Sequence, residues 1–182
     1  MRIFTSGGYK NGKSTYAQHL AKKQSHPTRP LYYVATMTVT DNEDVARIKR
    51  HQNEREGWGF ITKEQPKKIE NILIDCDTNG SFLLDSLTAL LANEMFSPTG
   101  AFDSHACERV AVGLTSVLSR VRDIVVVSDY IFSDAFLYDT YTEQYRQSLA
   151  MLDRLVAKHC EVVLEAAYTQ IITHKGVADA IH

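Results

Sequence analysis

Two stretches of this sequence carry residue types at spacings suited to phosphorus chemistry. The first is "TSGGYKNGKST", Thr5 to Thr15, where Gly7 is followed by four residues and then by Gly12-Lys13-Ser14. Between a strand and a helix, a loop of this spacing points several backbone N–H groups and the helix N-terminus into one anion-sized hollow. Lys13 brings a mobile positive charge to the β- and γ-phosphates of a nucleotide, and the Ser14 hydroxyl is a ligand for Mg2+. The second stretch is "ARIKRHQNER". On a helix, Arg47, His51 and Arg55 fall at i, i+4 and i+8 and share one face. Two guanidiniums beside an imidazole would hold phosphate oxygens and favour the neutral ring, whose nitrogen can attack phosphorus. Taken alone, the same stripe also fits a solvated basic face.

A phosphate loop of this kind calls for a carboxylate at the end of a neighbouring strand to complete the Mg2+ shell. Asp75 after "ILI", Asp85 after "FLL" and Asp129 after "IVVVS" all qualify. Periodicity does not choose among them. Asp75 lies in a turn-like "IDCDTNG" stretch, and Asp129 fits a helix cap or a substrate-facing position equally well. Asp85 is the preferred candidate. Trp58 and Phe60, just beyond the arginine stripe, are candidates to shelter a nucleobase or to pack partly buried.

The elements that would position these groups alternate along the chain, the signature of an α/β fold with a mostly parallel sheet. "RIFT", "LYYVAT", "SFLLD", "DIVVVSD", "CEVVLEAA" and "TQIIT" read as strands, and "DIVVVSD" has the continuous apolar character of a strand buried on both faces. "KSTYAQHLAKK", "NEDVARIKRHQNER", "SLTALLANEMF", a stretch from about Glu108 to Arg120, and "YTEQYRQSLAMLDRLVAKH" read as helices. "QPKKIENILIDC" reads as a helix or a helix running into a turn. No Pro/Gly-rich linker divides the 182 residues, which predicts one domain over 1–182.

Bulk composition narrows the function class. A net charge of −2 supplies none of the basic excess that nucleic-acid binders use, so any positive site must be local. Cys76, Cys107 and Cys160 are widely spaced and odd in number, which points to reduced thiols and to the cytoplasm. No targeting segment and no apolar run long enough to span a bilayer is read.

In this order, "SGGYKNGKS", "YYVAT", "ARIKRHQNER" and "LLDSLTALLANEMF" resemble the adenosylcobinamide kinase/adenosylcobinamide-phosphate guanylyltransferase family of cobalamin biosynthesis. The motifs cover about the first half of the chain. The resemblance implies a RecA-like P-loop fold and a homotrimer. It also implies two activities: phosphorylation of adenosylcobinamide from ATP or GTP, then transfer of GMP from GTP to that phosphate through a guanylylated histidine. Residue by residue, it implies that Gly7, Gly8, Tyr9, Lys10, Asn11, Gly12, Lys13 and Ser14 bind phosphate, and that Ala35, Thr36 and Met37 lie by the nucleotide. His51 becomes the guanylylated residue, Gln52, Asn53, Glu54 and Arg55 lie beside the nucleotide, Glu64 lies near guanine, and Asp85 is the acid after the third strand. The stripe itself makes Arg47 and Arg55 candidate phosphate contacts. The resemblance implies a small-molecule corrinoid acceptor, and composition predicts no nucleic-acid partner and no membrane span.

The second half departs from that pattern. "SDYIFSDAFLYD", from Ser128 to Asp139, stands where the family typically has an "NEVG" stretch and a "GIVP" loop, and only Tyr145-Arg146 echoes the later "FRD" helix. Loss of the Gly and Pro implies a differently shaped loop. Two other readings therefore stay beside the first: a P-loop kinase for another small molecule, and a catalytically reduced nucleotide-binding subunit.

Overall fold

The apolar runs pair side by side because most are rich in β-branched or aromatic residues and each presents apolar side chains for helices to cover. A computed structural model describes residues 1–38, 49, 52–53, 55–132 and 134–177. Its strands in chain order are β1 (Arg2–Gly7), β2 (Leu31–Ala35), β3 (Phe60–Glu64), β4 (Ser81–Asp85), β5 (Asp123–Asp129), β6 (Val162–Ala167) and β7 (Gln170–Lys175). In space they run β3-β2-β4-β5-β1-β6-β7, every pairing parallel except the antiparallel closing pair β6–β7.

Helices cover both faces. The helix α1 (Lys13–Gln24) packs on one side, where Ala17, Leu20 and Ala21 meet Ile3, Leu83, Val125 and Val127. A single turn, α2 (Ile72–Asp75), precedes β4. On the other side, α3 (Leu87–Met95), α4 (Ala106–Arg120) and α5 (Thr140–His159) bury Phe4, Val34, Phe82, Leu84 and Val126. The expectation that β5 is buried on both faces holds along Asp123–Ser128. Two helix starts are capped by side chains that accept from otherwise unpaired backbone N–H groups: Ser86 from Ala89 at α3, and Asp139 from Tyr141 and Thr142 at α5. Among the described residues no helix is long and apolar enough to cross a membrane. All three cysteines are free thiols.

Three local readings of the sequence change. "FITKE" forms the edge strand β3, which the sequence does not signal, because its residues are half-exposed or exposed and carry no hydrophobic pattern. Asp85 therefore ends the fourth strand in chain order and not the third. The "QPKKIENILIDC" stretch is reduced to a 3-10 turn, Ile69–Asn71, and the one turn of α2. The helix read from Glu108 begins two residues earlier, at Ala106.

One charged group sits inside the helical layer. Asp153 on α5 is buried, and its Oδ1 has no hydrogen-bond partner among the described residues. Burial pushes its carboxyl up to about 7. The neighbouring Ser128 hydroxyl opposes that rise, and the charge of Asp129 adds to it. Between the unfolded carboxyl value near 4 and this raised value, the folded state binds more protons than the unfolded one, so this group's contribution to stability falls as pH rises through that window. Asp153→Asn should stabilise the protein at pH 8 by on the order of 1 kcal/mol or more, with the gain vanishing near pH 4. Thermal melts of both proteins across pH 4–8 check this; a difference that does not grow with pH would contradict it.

Candidate active site

Strand parity and register decide which side chains meet. Successive residues of a strand point to opposite faces, so Phe60, Thr62 and Glu64 of β3, Leu31, Tyr33 and Ala35 of β2, Leu83 and Asp85 of β4, and Val125, Val127 and Asp129 of β5 all share the α1 face. Glu64, Ala35 and Asp85 are aligned level with one another across β3, β2 and β4. Asp85 pairs with Val127 of β5, and two residues further on Asp129 is level with Gly7 of β1. Three carboxylates therefore stand at the C-terminal ends of parallel strands, where open α/β sheets bind ligands.

The loop between β1 and α1 closes one end of this row. Gly7 has no room for a side chain: a Cβ there would collide with the Ala166 carbonyl oxygen 2.5 Å away and with the Asn11 amide. Gly12, at the start of α1, has φ 85°, which an L side chain rarely adopts. Asn11 braces the turn. Its side-chain NH2 donates to the Ala166 carbonyl at the end of β6, and its carbonyl oxygen accepts from Lys13 N at 3.2 Å. The Lys13 ammonium is nearly buried; it donates to the Gly8 carbonyl at 3.1 Å and lies 2.5 Å from Asp129 Oδ1. The loop lysine is thus paired to the acid on the adjacent strand.

The rest of the row borders a cleft of about 430 Å3. Asp85 accepts a hydrogen bond at Oδ2 from the Tyr33 hydroxyl, 2.8 Å. The Arg55 guanidinium lies 3.8 Å from the centroid of the same Tyr33 ring and donates to Thr62 Oγ1 at 3.4 Å. Thr36 is fully buried and brackets the chain just after Asp85: its hydroxyl donates to the Ser86 carbonyl and accepts from Ser86 N, both at 2.7 Å. Asn93 of α3 donates to the carbonyls of Thr36 at 2.7 Å and Pro66 at 3.1 Å, tying together the chain after β2 and the chain after β3. On the far wall, Thr88 accepts from Asp129 N at 2.8 Å, and its carbonyl accepts from the Tyr145 hydroxyl at 3.0 Å. Burial, and then the charges of Asp129 and Asp153, push the Tyr145 phenol above its ordinary range, so it stays a proton donor.

Six of the residues singled out from sequence converge here. Ala35, Met37, Gln52, Arg55, Glu64 and Asp85 line the cleft, and Lys13 reaches it through Asp129. Ser14 is half-buried at the start of α1, while Tyr9 and Lys10 are exposed at the loop tip, with the Lys10 ammonium over the Tyr9 ring. Asn53 is helical and exposed and does not line the cleft. Arg47, His51 and Glu54 lie outside the described residues. Of the three competing acids, Asp75 is paired with Lys63 away from the cleft, whereas Asp85 and Asp129 both border it. Trp58 and Phe60 pack instead of lining the cleft, against His19 of α1 and Tyr33 respectively. Sequence reasoning missed the bracing by Tyr33, Asn93 and Thr88. For Tyr33 a signal existed, since it is the tyrosine of "LYYVA" that shares parity with Ala35.

Residues 3–169 match the family described as "Cobinamide kinase / cobinamide phosphate guanyltransferase". The chain belongs to this family. The match extends well beyond the first half, through the segment in which individual motifs depart. Two curated relatives are both named "Bifunctional adenosylcobalamin biosynthesis protein CobU". The one from Escherichia coli is 33% identical over 104 residues, covering 57% of this chain and 55% of that protein. The one from Salmonella typhimurium is 27% identical over 113 residues, covering 62% and 60%. The aligned stretch thus spans little more than half the length of either relative. Among solved structures, an ATPase domain (10% identity, TM-score 0.52, 96% of this chain and 76% of that one) shares the fold. So does a KaiC-like protein from Pyrococcus horikoshii OT3 (13%, 0.51, 97% and 79%). The architecture is that of RecA-like P-loop ATPases.

The Lys13–Asp129 pair competes with any phosphate for the same ammonium, and Asp129 would repel a triphosphate brought beside it. Asp129→Asn should therefore tighten GTP or ATP binding about three- to tenfold, the scale of a partly exposed ion pair near 1 kcal/mol. Lys13→Ala should weaken it. Equilibrium titration with a fluorescent nucleotide checks both; weaker binding in Asp129→Asn would contradict the competition.

Proposed function

We propose that this chain, as one domain over residues 1–182, phosphorylates adenosylcobinamide and then transfers GMP from GTP to adenosylcobinamide phosphate. What carries the reading is the convergence, on one cleft at the strand ends of a chain in this family, of the phosphate-loop lysine, two acids and a buried arginine. In the first step the acceptor hydroxyl oxygen attacks the γ-phosphorus, an O–P bond forms, and the bond from that phosphorus to the leaving diphosphate breaks. Lys13 and the N–H groups of Gly7 to Ser14 hold the phosphates, and Lys13 exchanges Asp129 for phosphate oxygens as it does so.

In the second step a neutral ring nitrogen of His51 attacks the α-phosphorus of GTP, forming an N–P bond as pyrophosphate leaves. An oxygen of the acceptor phosphate then attacks that phosphorus, and the N–P bond breaks to release the histidine. Arg47 and Arg55 hold the phosphate oxygens, Ala35, Thr36, Met37, Gln52, Asn53 and Glu54 flank the nucleotide, and Glu64 meets the guanine. The burial of Arg55 against Tyr33 supports its part in this reading, because a guanidinium held out of water strengthens its attraction for phosphate.

Mg2+ fits the donors present. Ser14 and Asp85 offer the hard hydroxyl and carboxylate oxygens this ion prefers. Among the described residues no group of three acidic, histidine or cysteine ligands could cage a metal, so phosphate oxygens and water would complete the shell. The ion would neutralise charge on the triphosphate. The corrinoid acceptor, a homotrimer, a cytoplasmic location and the absence of nucleic-acid partners belong to the same reading.

A second reading, a P-loop kinase with another acceptor, is favoured by one observation. Where the family typically has its Gly- and Pro-bearing loop, this chain carries exposed Phe136, Leu137 and Tyr138. Incubation with GTP labelled at the α-phosphate, followed by mass spectrometry, tests the transferase: an acid-labile GMP adduct on His51, lost in His51→Ala, is expected. Protein that binds GTP but forms no adduct would rule the transferase out. Phosphoryl transfer surviving His51→Ala but lost in Lys13→Ala, with no adduct in the parent, would favour the kinase.

A further inference from the structure

Tyr33 touches two groups to which the proposed function gives separate tasks. Its hydroxyl donates to Asp85 Oδ2 at 2.8 Å, and the Arg55 guanidinium lies 3.8 Å from its ring centroid. Both contacts follow from the fold. Tyr33 is level with Leu83 of β4 and Thr62 of β3, so Asp85 is its diagonal neighbour on one side while Thr62, which Arg55 also contacts, is its direct neighbour on the other. The ring itself is fixed. Tyr33 is buried, and the Phe60 ring meets it edge-on with centroids 6.1 Å apart. A buried phenol thus stands between a carboxylate and a guanidinium, bonded to one through its hydroxyl and to the other through its face.

We propose that Tyr33 is a positioning residue that couples metal binding to phosphate binding. This rests on the reading of Asp85 as the acid of the Mg2+ shell and Arg55 as a phosphate contact. The hydroxyl fixes the direction of the Asp85 carboxylate, at the border of the cleft, by occupying one of its oxygens. The ring holds Arg55 over the same opening. A nucleotide drawn to Arg55 therefore meets an acid already oriented for its metal, so each binding event favours the other.

The two contacts separate by substitution. Tyr33→Phe removes the hydroxyl and keeps the ring; Tyr33→Leu removes both. GTP binding to the full chain is measured with Mg2+ and with EDTA, and a thermal melt of each variant accompanies it. In the parent, Mg2+ should tighten binding, and Asp85→Asn should remove that tightening. Tyr33→Phe should bind GTP in EDTA within about twofold of the parent while losing roughly five- to tenfold of the Mg2+ effect, a shift that a purely packing role would not produce. Tyr33→Leu should in addition weaken binding in EDTA by about tenfold. If Tyr33→Leu does not fold, Tyr33→Phe alone decides. Full Mg2+ tightening in Tyr33→Phe, with its loss in Asp85→Asn, overturns the role of Tyr33. Full tightening in Asp85→Asn overturns the metal reading beneath it.

Discussion

The parallel register of the sheet is the constraint on which the site depends. Because β2, β3 and β4 end level, Ala35, Glu64 and Asp85 stand in one row. Because β1 and β5 run two residues past that row, Gly7 and Asp129 stand together above it. A slip of one residue in any strand would send its terminal side chain to the opposite face. The register is fixed by burial on both sides: Phe82 and Leu84 go to the three-helix layer and Leu83 to α1, so a slipped β4 would exchange its large and small contacts on both faces at once.

On that frame the charges of the site are held in pairs before any ligand arrives. Lys13 is matched by Asp129, Asp85 by the Tyr33 hydroxyl, and Arg55 by the Tyr33 ring. Unpaired, groups this enclosed would be costly, so the pairing lets the site keep its shape in advance of binding. Under the proposed function it also makes ligand binding an exchange of partners, in which a phosphate takes Lys13 from Asp129. Thr36, Asn93 and Thr88 hold the backbone around these groups. They fix the chain after β2, the chain after β4 and the end of β5 by hydrogen bonds between 2.7 and 2.8 Å.

Much of this was legible in the sequence, and for identifiable reasons. The turn between β1 and α1 is a local device, set by Gly7, Gly12 and the residues between, so its spacing alone announces it. β5 was readable because seven residues in a row lack helical periodicity and are apolar at their centre. β3 was not. At the sheet edge its residues are mostly half-exposed or exposed, so no hydrophobic pattern marks it, and pairing with β2 alone defines it. The choice between Asp85 and Asp129 was obscured in the same way. Both end apolar strands, and only strand order shows that Asp129 adjoins the phosphate loop while Asp85 stands one strand further away. Tyr33 was hidden by its neighbour: of two adjacent tyrosines, Tyr32 packs on Phe82 and Tyr33 faces the site, a difference of parity that acquires meaning once the site-bearing face is known.

The central claim is that the loop and the strand-end cleft form one nucleotide site. The most direct measurement is a crystal structure of the full chain with Mg2+ and a GTP analogue that resists hydrolysis. The account predicts phosphates cradled by Gly7 to Ser14, with the Lys13 ammonium moved from Asp129 onto their oxygens and the nucleoside lying in the cleft toward Glu64. Phosphates bound elsewhere, with Lys13 still paired to Asp129, would contradict it.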